Sequence, residues 1–88
     1  MYAVFFSGKA KKFFKRCNEE IRQRLVKLFG IFELSPVPAG EYDVIKVKGA
    51  KDRYRIRLSS YRIVYDVHFD EKEIRVLKIE RRDETTYD

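Results

Sequence analysis

Arginines alternate with apolar residues through Arg53-Tyr54-Arg55-Ile56-Arg57-Leu58, and Arg62 follows shortly in Tyr61-Arg62-Ile63-Val64-Tyr65. Side chains in a strand switch sides at every residue, so Arg53, Arg55 and Arg57 share one face. If Ser59-Ser60 is a tight connection, the next strand lies about 4.8 Å away and brings Arg62 beside Arg55 and Arg57. Guanidinium groups held this close repel one another, a cost expected where an anion will neutralise them. The planar guanidinium fork takes phosphate in a bidentate way and stays charged at any working pH. The chemistry suggested is capture of a polyanion, RNA foremost. The same alternation also suits the solvated face of an ordinary amphipathic strand, and residue types alone leave both readings open.

Other residues carry weaker signals. His68 invites a role as general base, but it stands at the far end of its strand from Arg62 and reads as a polar residue at a hairpin end. Tyr54, Tyr61 and Tyr65 could stack on bases, yet their alternation matches Ile56 and Ile63, which points to core packing. Lys9, Lys11, Lys12, Lys15 and Arg16 form a charge run. Such a run is usually solvated, with Lys11 and Lys12 as candidates for non-specific phosphate contacts. Lys48, next to Gly49, and Arg81 are further phosphate-binding candidates. Cys17 reads as a small buried hydrophobe.

The elements that must position these residues follow from periodicity. Tyr2 to Ser7 is β-branched and aromatic and predicts a strand. Ser7 suits the N-cap of a helix carrying Ala10, Phe13, Phe14 and Cys17 on one side. Asn18-Glu19-Glu20 suits a second start, with acids where the helix dipole favours them. Ile21, Leu25, Leu28, Phe29 and Phe32 then form an apolar stripe. Gly30 weakens the end of this helix, and Ser35-Pro36-Val37-Pro38-Ala39-Gly40 stops it. From Tyr42 the period becomes two. The expected strands are Tyr42 to Val47, Arg53 to Leu58, Tyr61 to His68 and Glu73 to Arg82. In the last, strict alternation sets Arg75, Leu77, Ile79 and Arg81 against Ile74, Val76, Lys78, Glu80 and Arg82. The expected class is α+β in two layers: an N-terminal strand and helical hairpin packed on a curled, mainly antiparallel β-sheet.

Composition bounds the rest. The 88 residues suit one domain, 1–88, with one modest core. Seven Phe and six Tyr supply the burial such a small core needs. A formal charge of +6 favours an anionic partner. One Cys excludes an internal disulfide, and a single Cys and His make no zinc constellation, so no metal or small-molecule cofactor is expected. No stretch approaches the roughly 20 apolar residues of a membrane span, nor a secretory leader, so the chain is expected in the cytoplasm and away from membranes.

Val47-Lys48-Gly49, Arg53 to Val67 (RYRIRLSSYRIVYDV) and Ile74 to Tyr87 (IRVLKIERRDETTY) together resemble the RelE/ParE superfamily of toxin–antitoxin toxins. The strand and helical hairpin before them stand in the family's order, so the similarity spans nearly the whole chain. It implies a RelE-like fold. For the RelE branch it implies a metal-independent endoribonuclease that cuts messenger RNA in the ribosomal A site. The RNA's own 2′-hydroxyl is the nucleophile, and a 2′,3′-cyclic phosphate is left. By position, Arg55 and Arg57 stand where such enzymes often carry lysines. Arg62 matches the arginine of the Tyr-Arg strand, Arg82 the basic residue ending the last strand, and Tyr87 a C-terminal tyrosine that stacks or assists proton transfer. The implied partners are a cognate antitoxin protein, ribosomal RNA and messenger RNA. The ParE branch shares the fold but poisons DNA gyrase without catalysis, and an inactive member would only bind its antitoxin or RNA. An arginine is a poor general base because its pKa exceeds roughly 12. The arginines are therefore expected to orient the phosphate and stabilise its developing charge, leaving Tyr87 as the obvious proton mover.

Overall fold

The computed structural model describes residues 1–81. Its element order is β1 (Ala3–Phe6), α1 (Gly8–Arg16), α2 (Glu19–Phe32), β2 (Asp43–Lys46), β3 (Arg53–Leu58), β4 (Tyr61–His68) and β5 (Glu73–Arg81). The five strands form one mixed sheet in the order β1-β5-β4-β3-β2. β2 to β5 make an antiparallel meander, and β1 joins the far edge parallel to β5. The expected α+β architecture is the one observed.

Local chemistry starts both helices. The Ser7 hydroxyl accepts from the Ala10 N–H at 3.0 Å, and Asn18 Oδ1 accepts from the Ile21 N–H at 2.9 Å, each satisfying a donor that a helix start leaves over. Arg22 fastens the elbow between the helices. Its guanidinium donates to the carbonyls of Phe14, Lys15 and Cys17 at 3.0–3.2 Å, where the end of α1 has no helical partners, and pairs with Glu19 at 2.7 Å.

The α2 stripe Ile21, Leu25, Leu28 and Phe32 is buried, as are Ile56, Leu58, Ile63, Tyr65, Val67, Ile74, Val76 and Ile79 from three strands. All belong to one core between the helices and a single sheet face. Tyr65 lies wholly inside it, its ring 4.5 Å from that of Phe32 and its hydroxyl donating to the Pro36 carbonyl at 2.8 Å. Tyr54 packs on Tyr65, and Tyr61 meets Phe13 edge to face, so the tyrosines serve the core as expected. Cys17 is only partly buried, packed against this core as the C-cap of α1.

One expectation fails at β5. Tyr65 pairs with Val76, but Val64 pairs with Lys78, so Leu77 has no partner on β4. This bulge adds one residue and reverses the facing of everything after it. Ile79 joins Ile74 and Val76 in the core, whereas Lys78 and Glu80 turn to the other face beside Arg75. Strict alternation had divided these residues differently. The bulge is anchored from outside the strand: the Ser7 hydroxyl that caps α1 also donates to the Leu77 carbonyl.

Candidate functional site

Residues opposed across antiparallel strands share a face, with Cβ atoms roughly 5 Å apart. The face turned away from the helices can therefore be read as rows. One row runs Asp43, Arg57, Arg62, Glu80, and the next runs Ile45, Arg55, Val64, Lys78. A third holds Arg53, Asp66 and Arg75, continued on β1 by Phe5. The tight Ser59-Ser60 connection, with Ser59 in the left-handed region at φ 58°, sets Arg57 directly opposite Arg62.

The rows differ in how their charges are used. In the third, Arg53 grips Asp66 through Nε and Nη2 at 2.7 and 3.1 Å. That hydrogen-bonded carboxylate raises the Arg53 pKa above its ordinary value. Arg75 pairs with Glu73 at 2.9 Å and lies over the Phe5 ring, 5.5 Å from its centre. His68 sits 3.9 Å from Glu71. This half of the face has spent its charges on one another. A hollow of about 400 Å³ beside it, lined by Arg53, Asp66, His68 and Glu71 among others, therefore offers little free charge to a ligand.

The half next to the β3–β4 connection is different. Arg55, Arg57 and Arg62 line a shallow depression of about 120 Å³ with Asp43 and Ile45. Among the described residues, neither Arg55 nor Arg57 has an acid within ion-pair distance. Guanidinium groups brought together in this way, with forked donors on two adjacent strands, make a seat for phosphate.

The structure thus gathers Arg55, Arg57 and Arg62 and disperses other candidates. Arg81 lies opposite Tyr61, on the side of the sheet that faces the helices, because the bulge turned it there. Lys48 is exposed in the turn after β2, beyond the opposite end of the sheet from Arg57. Lys11 and Lys12 are exposed on α1, behind the sheet. Arg82 and Tyr87 lie outside the described residues. Two acids joined the arginine row without having been singled out. Asp43 arrives through the β2–β3 register and Glu80 through the bulge. Asp43 had a signal, since it alternates with Tyr42 and Val44, but nothing local tells which arginine it meets.

Residues 4–86 match the model of the ParE toxin of type II toxin–antitoxin systems, parDE. The RelE1 protein of Methanocaldococcus jannaschii is 30% identical over 61 residues, 69% of this chain and 68% of its own. Among solved structures, a chain of the archaeal RelE–RelB complex from Pyrococcus horikoshii superposes with a TM-score of 0.85 at 33% identity, covering 94% of this chain and 97% of the other. A chain of the intact Escherichia coli RelBE toxin–antitoxin complex does so with a TM-score of 0.77 at 26% identity, covering 94% and 99%.

Proposed function

The chain belongs to the ParE toxin family of type II toxin–antitoxin systems, and from that premise we propose that it is a RelE-type toxin that cleaves messenger RNA in the ribosomal A site. The observation that carries this reading is the meeting of Arg55, Arg57 and Arg62 in one depression on the uncovered sheet face. In attack by a 2′-hydroxyl on the adjacent phosphodiester, negative charge builds on the non-bridging oxygens. Guanidinium groups already in place stabilise that charge without reorganising at the moment of reaction. Arg82 and Tyr87 complete the proposed set by position in the family pattern, Arg82 on phosphate and Tyr87 as a stacking or proton-transfer residue.

The proposed partners are the ribosome, its messenger RNA and a cognate antitoxin. Solved relatives are toxin–antitoxin complexes, which supports an antitoxin here. Its proposed form is a partly disordered acidic or amphipathic segment that folds as it covers the basic surface.

The test is cleavage of a reporter message on programmed ribosomes, mapped by primer extension. Arg62→Ala should reduce the rate about 10²–10³-fold, the usual effect of removing one charge-stabilising donor, with an unchanged circular dichroism spectrum. Wild-type cleavage by Arg62→Ala would sink the proposal. Because the matching family model is that of ParE, gyrase inhibition is the second reading. Loss of supercoiling activity with intact message would favour it.

A further inference from the structure

A site that activates a 2′-hydroxyl needs a proton acceptor; its arginines cannot serve, and of its two proposed roles Tyr87 is given stacking. Resting on the nuclease reading above, we infer that Asp43 is the catalytic base. It opens β2 directly opposite Arg57, on the face away from the helices. Among the described residues that line the arginine depression, it alone is an acid. Its carboxylate is exposed and, among the described residues, holds no ion pair or side-chain hydrogen bond. The neighbouring acids are committed: Asp66 to Arg53, Glu73 to Arg75 and Glu80 to Lys78 at 3.6 Å. His68 stands beyond the Arg53–Asp66 pair at the other end of β4. The idle carboxylate is solvated at this surface, so leaving it unpaired costs the free protein little, and it sits among cations that would bring a phosphodiester to it.

In the reaction, an Asp43 oxygen takes the proton of the 2′-hydroxyl as the 2′-oxygen forms its bond to phosphorus. Arg55, Arg57 and Arg62 carry the charge of the five-coordinate state. The bond from phosphorus to the 5′-oxygen then breaks, its electron pair stays on that oxygen, and a water molecule protonates it. The hydroxide left behind recovers the proton held by Asp43. The products are a 2′,3′-cyclic phosphate and a free 5′-hydroxyl, with the carboxylate restored.

The experiment compares wild type, Asp43→Asn and Arg62→Ala in single-turnover cleavage on programmed ribosomes, from acidic to neutral pH. Binding is measured separately on a message with 2′-deoxynucleotides at the A-site codon, which cannot be cut. Asp43→Asn should cleave about 10²–10⁴-fold more slowly while binding the deoxy message as well as wild type or tighter, because a negative charge beside the phosphate is gone. Arg62→Ala should weaken both readouts. The wild-type rate should fall on the acid side, and Asp43→Asn should lose that limb. Arg57 across from Asp43, Arg55 and Arg62 in the depression, and Glu41 and Tyr42 just before it are the charged or titratable neighbours. Glu41→Gln, the acidic control, should keep the limb. Wild-type cleavage with the acid limb intact in Asp43→Asn overturns the inference and leaves the nuclease reading standing. A wild-type protein that cuts no message overturns both.

Discussion

Arg53 and Arg57 stand four residues apart on the same face of one strand, yet their surroundings give them opposite tasks. Arg53 is engaged by both oxygens of Asp66, so its donors are occupied before any ligand arrives. Arg57 has only the unpaired Asp43 and Arg62 opposite it. Arg57→Ala should therefore cost about 10²–10³-fold in cleavage with little change in melting temperature. Arg53→Ala should lower the melting temperature and leave the cleavage rate within a few-fold of wild type. Equal losses of activity in the two variants would show that the face acts as a diffuse positive field rather than as a site. Tyr65 gives a prediction of another kind. Burial, and secondarily Tyr54, holds its phenol above the ordinary pKa of about 10. The folded state therefore retains this proton after the unfolded chain has lost it. Its stability contribution is complete below pH 10 and declines as pH rises toward the folded value, by at most about 1.4 kcal/mol per pH unit. Tyr65→Phe, which also loses the hydrogen bond to Pro36, should be about 1 kcal/mol less stable at neutral pH. Its denaturation midpoint should fall less steeply than wild type in alkali.

What each element owes to its neighbours explains which features could be read from the amino acids. Ser7 and Asn18 announce their helices because capping needs only a side chain three residues from an N–H. β3 and β4 match their expected bounds because their alternation is unbroken and a two-residue turn fixes their register. The β5 bulge has no such local cause. It depends on a hydroxyl seventy positions away, Ser7, reaching the Leu77 carbonyl, and on the core accepting both Val76 and Ile79. Misreading it displaced Arg81 and hid Glu80. Asp43 was obscured similarly, because the segment from Val47 to Asp52 leaves the β2–β3 register open until the strands pair. Deleting Leu77 should remove the bulge and leave Val76, Lys78, Ile79 and Glu80 alternating without a break in their present facing, Val76 and Ile79 inward and Lys78 and Glu80 outward. The expected result is a folded protein about 1 kcal/mol less stable, for the lost hydrogen bond from the Ser7 hydroxyl to the Leu77 carbonyl, and failure to fold would show that the bulge does more than set the facing of β5. The elbow offers a milder test. Arg22→Ala leaves the carbonyls of Phe14, Lys15 and Cys17 without their shared donor and should cost about 1–2 kcal/mol, read as a lower midpoint in urea with cleavage retained after refolding.

The molecule as a whole is basic on two sides that the sheet keeps apart. The arginine depression lies on the uncovered face, while Lys9, Lys11, Lys12, Lys15 and Arg16 belong to α1 on the other. A net charge of +6 spread this way favours any polyanion, and on the proposed nuclease reading only the depression holds the message for cutting. Salt separates the two contributions. Each phosphate neutralised on single-stranded RNA contributes roughly −0.7 to the slope of log affinity against log salt. A 5′-phosphorylated trinucleotide, which carries three phosphates, seated on Arg55, Arg57 and Arg62 should therefore show a slope near −2. Replacing all three with alanine should flatten that slope. The Lys11→Ala/Lys12→Ala protein should leave it unchanged, because a trinucleotide cannot reach around a domain measuring 38 × 28 × 26 Å. On whole ribosomes the lysine pair should matter too, since ribosomal RNA is large enough to touch both sides at once. A lysine variant that flattened the trinucleotide slope as much as the arginine variant would mean that the sheet does not divide the charge as its geometry requires.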